Sequence, residues 1–151
     1  MVKKLPSLIV IGTGSTELKR FRTDCYKAAL TIDAKVLEVK GSSSHNYSIC
    51  NVQLSGRYKC NIRYVSILRT GNYEILGFSS TQEAPFIFVD IPHLQAAFEE
   101  LDYEVWSKEY LETDLTEEHL ADLTPQEIEY YDYVNPKKIG EIVFNEKVYI
   151  D

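Results

Sequence analysis

Between residues 35 and 89 the chain repeats short runs of β-branched, aromatic and aliphatic residues, broken every few positions by glycine, serine or asparagine. Each run is too short for a helix and is bounded by turn residues, which restricts this stretch to sequentially paired strands. Residues 35–40 alternate charged and apolar positions, and Gly41-Ser-Ser-Ser-His-Asn46 is a loop by composition. Residues 47–54 and 58–68 read as two strands around Ser55-Gly56. In the second, Tyr58, Cys60, Ile62, Tyr64 and Leu68 share one face. Arg57, Lys59, Asn61, Arg63 and Arg69 share the other, interrupted by Val65 and Ile67. That pattern predicts a sheet with one wet, basic face. Gly71-Asn72 turns the chain into a strand over 73–78, and the nearly all-apolar residues 85–89 read as a central strand.

Helical signals flank this region. Residues 7–11 form a short apolar run, read as a buried strand, and Gly12-Thr-Gly-Ser-Thr16 follows. Ser15 or Thr16 can cap a helix over about 17–31, with Leu18, Phe21, Cys25, Ala28 and Ala29 near one face. After residue 89, Pro92 suits the first turn of a helix whose apolar stripe is Leu94, Ala97, Phe98 and Leu101. Ser107 can cap a short helix containing Tyr110 and Leu111, and 116–123 supplies another turn or two. Thr124-Pro-Gln-Glu127 is a capping box with proline at the first helical position. Residues 139–150 fit either a short helix with Ile139, Ile142 and Val143 on one face or a terminal hairpin. The expected fold is α+β. It has an antiparallel sheet of about five strands, an N-terminal helix and an acidic helical C-terminal region, with helices packed on one face of the sheet. No linker or repeat divides the 151 residues, so a single domain over 1–151 is expected.

Charge is distributed unevenly. Residues 1–75 hold 12 Lys and Arg against 5 Asp and Glu, whereas residues 76–151 hold 4 against 18. The balances are +7 and −14. The densest stretch, 99–132, has 13 acids and one base, Lys108. Such a segment repels itself unless the basic half folds against it or a cationic partner covers it. An acidic docking face steers basic proteins and repels phosphates, so a basic protein partner is expected and nucleic acid is not. No apolar run approaches bilayer length, and residues 8–11 are too short for an export signal. With three cysteines and no metal-ligand spacing, a cytoplasmic protein without membrane association is expected.

Candidate catalytic features are sparse. Gly12-Thr-Gly-Ser-Thr16 between a strand and a helix invites a phosphate-binding reading. It lacks a third glycine and the Lys-Ser/Thr of a P-loop, and a plain glycine turn with a Ser/Thr cap is the simpler reading. A small enzyme or ligand-binding domain using this turn is one alternative. Cys50 and Cys60 would face each other if the hairpin turned at residues 54–56, as a redox pair or as two small buried side chains. His45, His93 and His119 lie apart; Glu118, His119 and Asp122 could share a helical turn as metal ligands, although a surface histidine is the simpler reading. No nucleophile elbow or hydrolytic triad spacing is present, so no catalytic residue, metal or cofactor is assigned. The basic strand face supports a second alternative, an RNA-binding module.

Leu123-Thr-Pro-Gln-Glu-Ile-Glu-Tyr-Tyr131, leading into Asn135-Pro-Lys-Lys-Ile-Gly-Glu-Ile-Val-Phe-Asn145, resembles the ends of small bacterial immunity proteins. These accompany polymorphic or contact-dependent growth-inhibition toxins. The likeness spans about 25 residues and carries over no catalytic residues. It implies an immunity-type inhibitor that binds one cognate toxin. Together with the charge split, it predicts a stoichiometric protein-binding inhibitor, not an enzyme, whose acidic surface neutralises a basic partner such as a nuclease toxin. The expected contact residues are Glu109, Glu112, Asp114, Glu117, Glu118, Asp122, Glu127, Glu129 and Asp132, with Tyr110, Tyr130 and Tyr131 as anchors.

Overall fold

The computed structural model describes residues 5, 14–41, 46–58, 61–71, 73–121 and 123–145. A long helix, α1 (Ser15–Thr31), precedes four strands, β1 (Lys35–Lys40), β2 (Tyr47–Gln53), β3 (Tyr64–Thr70) and β4 (Ile75–Ser79). Helix α2 (Pro92–Glu99) leads to a two-residue strand, β5 (Glu104–Val105). Four short helices follow: α3 (Lys108–Leu111), α4 (Glu117–Leu120), α5 (Pro125–Val134) and α6 (Ile139–Val143). The sheet order is β1-β2-β3-β4-β5. The first four strands form an antiparallel meander, and β5 joins β4 in parallel. The fold is therefore α+β with a five-stranded, mostly antiparallel sheet. Among the described residues no helix is long and apolar enough to cross a membrane.

The middle of the sheet, β2 to β4, is covered on both faces, not one, and this explains why its strands read ambiguously. Cys50, Val52, Val65, Ile67, Leu76 and Phe78 face a core closed by α1 and α2, with Phe21, Cys25, Leu94 and Phe98 at its centre. Tyr47 and Leu68 face a second core, built with Trp106, Leu111, Tyr130, Ile139, Ile142 and Phe144 from the C-terminal helices. Strands buried on both faces are continuous apolar runs, without alternation. The chain accordingly centres β3 on Val65-Ser-Ile-Leu68; before it, residues Gly56–Tyr58 form a 3-10 turn and residues 61–63 lie outside the sheet. This shifts the hairpin register. Cys50 sits opposite Ile67, not at the register on which a facing Cys50 and Cys60 depended, and Cys60 lies outside the described residues.

The segment expected as a central strand at 85–89 contributes only an isolated bridge, Phe88 to Ser79. It is apolar because it threads between layers: Phe88 enters the second core, whereas Val89 and Ile91 pack on the first. Residues 80–87 fold back on the end of β4. Ser80 N–H donates to the Ile87 carbonyl at 2.9 Å, and Ile87 N–H donates to Thr81 Oγ1 at 3.2 Å. The two-residue β5 takes the place at the sheet edge.

The helix boundaries follow local chemistry with one exception. Gly14, not Ser15 or Thr16, is the N-cap of α1, with no side-chain capping bond. Pro92 opens α2 and Pro125 opens α5 as expected. Ser107 Oγ accepts from Tyr110 N–H at 3.1 Å, and Thr124 and Glu127 form the expected reciprocal box. Residues 139–143 are helical; the rest of the hairpin alternative, 146–150, lies outside the described residues, as does the strand expected at 7–11.

Candidate protein-interaction surface

The C-terminal layer is fixed to the sheet by backbone-directed bonds. Buried Asn46, just before β2, donates through Nδ2 to the Ile142 carbonyl at 3.0 Å and accepts from Asn145 N–H through Oδ1 at 2.6 Å. Within the layer, Ile139 N–H reaches the Thr113 carbonyl at 3.0 Å and Leu115 N–H the Lys137 carbonyl at 3.1 Å, clasping α3 to α6. The apolar sides of α3, α5 and α6 are consumed in the second core, which turns their acidic sides to solvent.

On that outer side Glu109 and Glu112 are exposed beside α3, and Glu117 and Glu118 are exposed in the first turn of α4. Glu129 and Asp132 are exposed on α5. Asp114 pairs with Lys138, and hydrogen bonding to this carboxylate raises the Lys138 pKa, with Glu141 and Glu112 adding to the negative field. Glu127 is half-buried and committed to the α5 capping box, so it serves the helix before any partner. Asp122 lies outside the described residues.

The three tyrosines separate. Tyr130 is only 2% exposed and is a core residue, not an anchor for a partner. Burial, with Tyr133 nearby, pushes its phenol up to about 12. Tyr110 is half-buried, edge-on to Trp106 at 5.2 Å and to His119 at 6.4 Å. Tyr131 is half-buried. The exposed apolar groups on this side are instead Ile128 (44%) and Tyr133 (55%), which flank Glu129 and Asp132 on α5. Their signal was present in the sequence. Tyr130 and Val134, four apart, form the inward stripe of α5, which leaves Ile128 and Asp132, also four apart, on the opposite side.

The ion pairs seen among the described residues each stay within one half of the chain. Among the described residues Arg20 pairs with Glu17, Asp24 and Glu74, Arg69 with Glu17 and Glu74, and Lys40 with Glu38. Every one of these acids belongs to the first half. Asp114, within 99–132, takes its lysine from the second half. None of these pairs joins a base of residues 1–75 to an acid of 99–132.

Arg69 overturns the expectation of a basic wet sheet face. Its side chain is fully buried at the end of β3. Nε donates to the Tyr73 carbonyl at 2.7 Å, and the terminal nitrogens donate to the Glu17 carbonyl and carboxylate, each at 2.9 Å. The guanidinium lies 5.9 Å from the Phe21 ring centre and 5.8 Å from that of Tyr103. Tyr103 in turn donates to buried Asp24 at 2.7 Å, and burial raises its phenol pKa well above the usual range. Arg57 lies in the 3-10 turn and Arg63 in the loop before β3, both exposed, so the surface needed by an RNA-binding sheet is not assembled there.

A search of protein-family models, of curated proteins and of solved structures returns no match to this chain. Function therefore rests on the sites themselves. Gly12 and Thr13 of the glycine turn lie outside the described residues, whereas Gly14, Ser15 and Thr16 are exposed at the start of α1. Cys25 and Cys50 are neighbours in the first core, and burial raises the Cys25 thiol well above its usual range, as expected of an inert thiol. His119 is not a surface residue: it is buried, and its Nδ1 accepts from Thr116 N–H at 3.0 Å. That bond gives the ring a capping role in α4; Asp122, the third residue of the metal-ligand reading, lies outside the described residues. His93 is in the first turn of α2, and His45 is outside the described residues. Among the described residues no group of three or more His, Cys, Asp and Glu is placed to hold a metal.

A groove of about 680 Å³ opens beside the acidic layer, between residues 84–88 and the α5–α6 connection. Phe86, Phe88, Leu111, Val134 and Phe144 line it, with Lys137 among the charged lining residues. Gly140 lets the Phe88 ring pack directly on α6 at its wall, since a methyl group there would meet Phe88 at 2.4 Å. The sequence offered no sign of this groove, because its walls come from three separate segments.

Proposed function

We propose that this chain is a stoichiometric protein-binding inhibitor of the toxin-immunity kind, whose acidic α3–α5 surface captures a basic partner protein. One observation carries the reading: Glu109, Glu112, Glu117, Glu118, Glu129 and Asp132 are exposed, and none of them pairs with a described cation of the first half. A field of unspent like charge costs stability, and a cationic partner offsets that cost. Carboxylates on a convex helical layer can occupy a groove built for phosphates, as found in a nuclease, and electrostatic steering accelerates capture. Ile128 and Tyr133 supply the apolar area that the charges alone lack, with the acids forming a polar rim. Contacts are expected from Glu109, Glu112, Glu117, Glu118, Glu129 and Asp132, with Tyr110 and Tyr131 at the margin.

The test is capture from the native host's lysate, with the wild-type chain and the Glu109→Lys/Glu112→Lys/Glu129→Lys/Asp132→Lys variant as baits at low and high salt. A basic protein held by the wild type at low salt and lost by the variant is expected. Equal retention by both baits removes the acidic surface from the account.

A further inference from the structure

α1 and α2 cover the first core, and α3, α5 and α6 cover the second, so the outer face of α1 and the acidic face of α5 lie on opposite sides of the sheet, while Glu99 and Glu100 at the end of α2 stay on the α1 side. The inward stripe of α1 is Phe21, Cys25, Ala28 and Ala29. At 100° per residue this leaves Lys19, Tyr26 and Leu30 on the opposite side, with Arg22 at its edge next to Tyr26. All four are exposed, Tyr26 to 56% and Leu30 to 85%. A leucine this exposed, one turn from an exposed tyrosine, gains nothing for the monomer. Lys19 and Arg22 enter no ion pair among the described residues, in contrast to Arg20, whose side chain turns to Glu74 at 2.7 Å.

The outward face of α5 is the counterpart. Ile128 and Tyr133 stand beside Glu129 and Asp132, so each helix presents two exposed apolar side chains next to two like charges, with opposite sign on the two helices. We propose that the chain associates head to tail with a second copy of itself, the outer face of α1 docking on the acidic face of α5. The occupant is a second copy because both complementary halves belong to this chain and the sheet holds them apart, out of reach of each other within one molecule. Such a contact is heterologous and extends into short chains of molecules unless the rotation closes a ring. A contact between two helices, the shorter about 15 Å long, is small, so the association is weak and reversible. The proposal uses the acidic face without requiring a foreign partner. It implies that any basic protein competes with α1 of the neighbouring copy.

Sedimentation velocity of the purified chain at about 0.3 mM, where micromolar to sub-millimolar contacts are populated, tests this directly. Oligomers are expected at about 50 mM salt, weakening about tenfold or more by 500 mM as the charges are screened. Lys19→Glu/Arg22→Glu and Glu129→Lys/Asp132→Lys should each be monomeric. The two variants mixed, or all four reversals in one chain, should associate again. That rescue distinguishes lost complementarity from lost folding. A monomeric wild type at low salt overturns the proposal, whether or not α1 then binds an anionic oligonucleotide, and so does association that either pair of reversals leaves intact. Neither result bears on capture of a foreign basic protein, which is read in a separate assay.

Discussion

Replacing Arg69 with alanine is expected to cost about 3–5 kcal/mol of folding stability. The size follows from the surroundings. The side chain has no solvent exposure, and its three bonds to the Tyr73 carbonyl, the Glu17 carbonyl and the Glu17 carboxylate span 2.7–2.9 Å. Alanine removes these bonds and opens a cavity beneath Phe21 and Tyr103. The stranded-charge part of the penalty is moderated, because Glu17 and Glu74 retain 33% and 38% of their side-chain exposure and recover water. Cavity and orphaned carbonyls therefore dominate. In a chain of this size the loss corresponds to a Tm lower by about 6–20 °C. Arg69→Lys should recover less than half, since an ammonium cannot reproduce the planar fork. Glu17→Gln should cost only about 1 kcal/mol, because its amide oxygen still accepts from Arg69. Urea unfolding followed by circular dichroism measures all three. A loss below about 1 kcal/mol for Arg69→Ala, within the range of an exposed ion pair, would refute the buried cluster and restore the wet basic face read from the sequence.

Asn46→Ala strands the Asn145 N–H and the Ile142 carbonyl in a buried site and should cost about 2–4 kcal/mol; urea unfolding gives the value, and hydrogen exchange should quicken first in α6. Gly140→Ala places a methyl group 2.4 Å from the Phe88 ring and 3.1 Å from the Leu111 carbonyl. The ring can yield but the backbone cannot, so a loss of about 1–3 kcal/mol is expected in thermal melts. Burial raises the Tyr130 phenol to about 12 from an ordinary 10. The unfolded chain then releases this proton before the folded one does. Stability from this group is complete below pH 10 and falls as pH rises through 12. Unfolding measured across that window should show a shallower decline in Tyr130→Phe; an unchanged slope would place the phenol in solvent.

The helices were legible because their signals are local. Pro92, Ser107 and the Thr124–Glu127 box each satisfy the first backbone donors of a helix without reference to the rest of the chain. The strands were legible in number and not in register. Alternation around Arg57–Arg63 marks a half-exposed strand only if one face of the sheet is wet, and here both are covered over β2 to β4. That cover also reverses the meaning of Arg69, whose partners Glu17 and Glu74 come from α1 and the β3–β4 connection. The acidic surface was readable as composition. Which tyrosine is core and which is surface depended on the inward stripe of α5: Tyr130 lies on it, whereas Tyr133 and Ile128 do not. The groove and the opposed charge of the outer faces of α1 and α5 are tertiary properties, set when α1 and the C-terminal helices take opposite faces of one sheet.

The separation of the first-half cations from the α3 and α5 carboxylates is tested most directly by the unfolding free energy of the Glu109→Lys/Glu112→Lys/Glu129→Lys/Asp132→Lys variant in low salt, at a protein concentration where the chain is monomeric. Carboxylates that face solvent in a field of like charge predict a stability equal to the wild type or higher, since the reversals relieve repulsion. A fall of about 2 kcal/mol or more, recovered when lysines and arginines of the first half are reversed in turn, would mean that the two halves neutralise each other within one molecule.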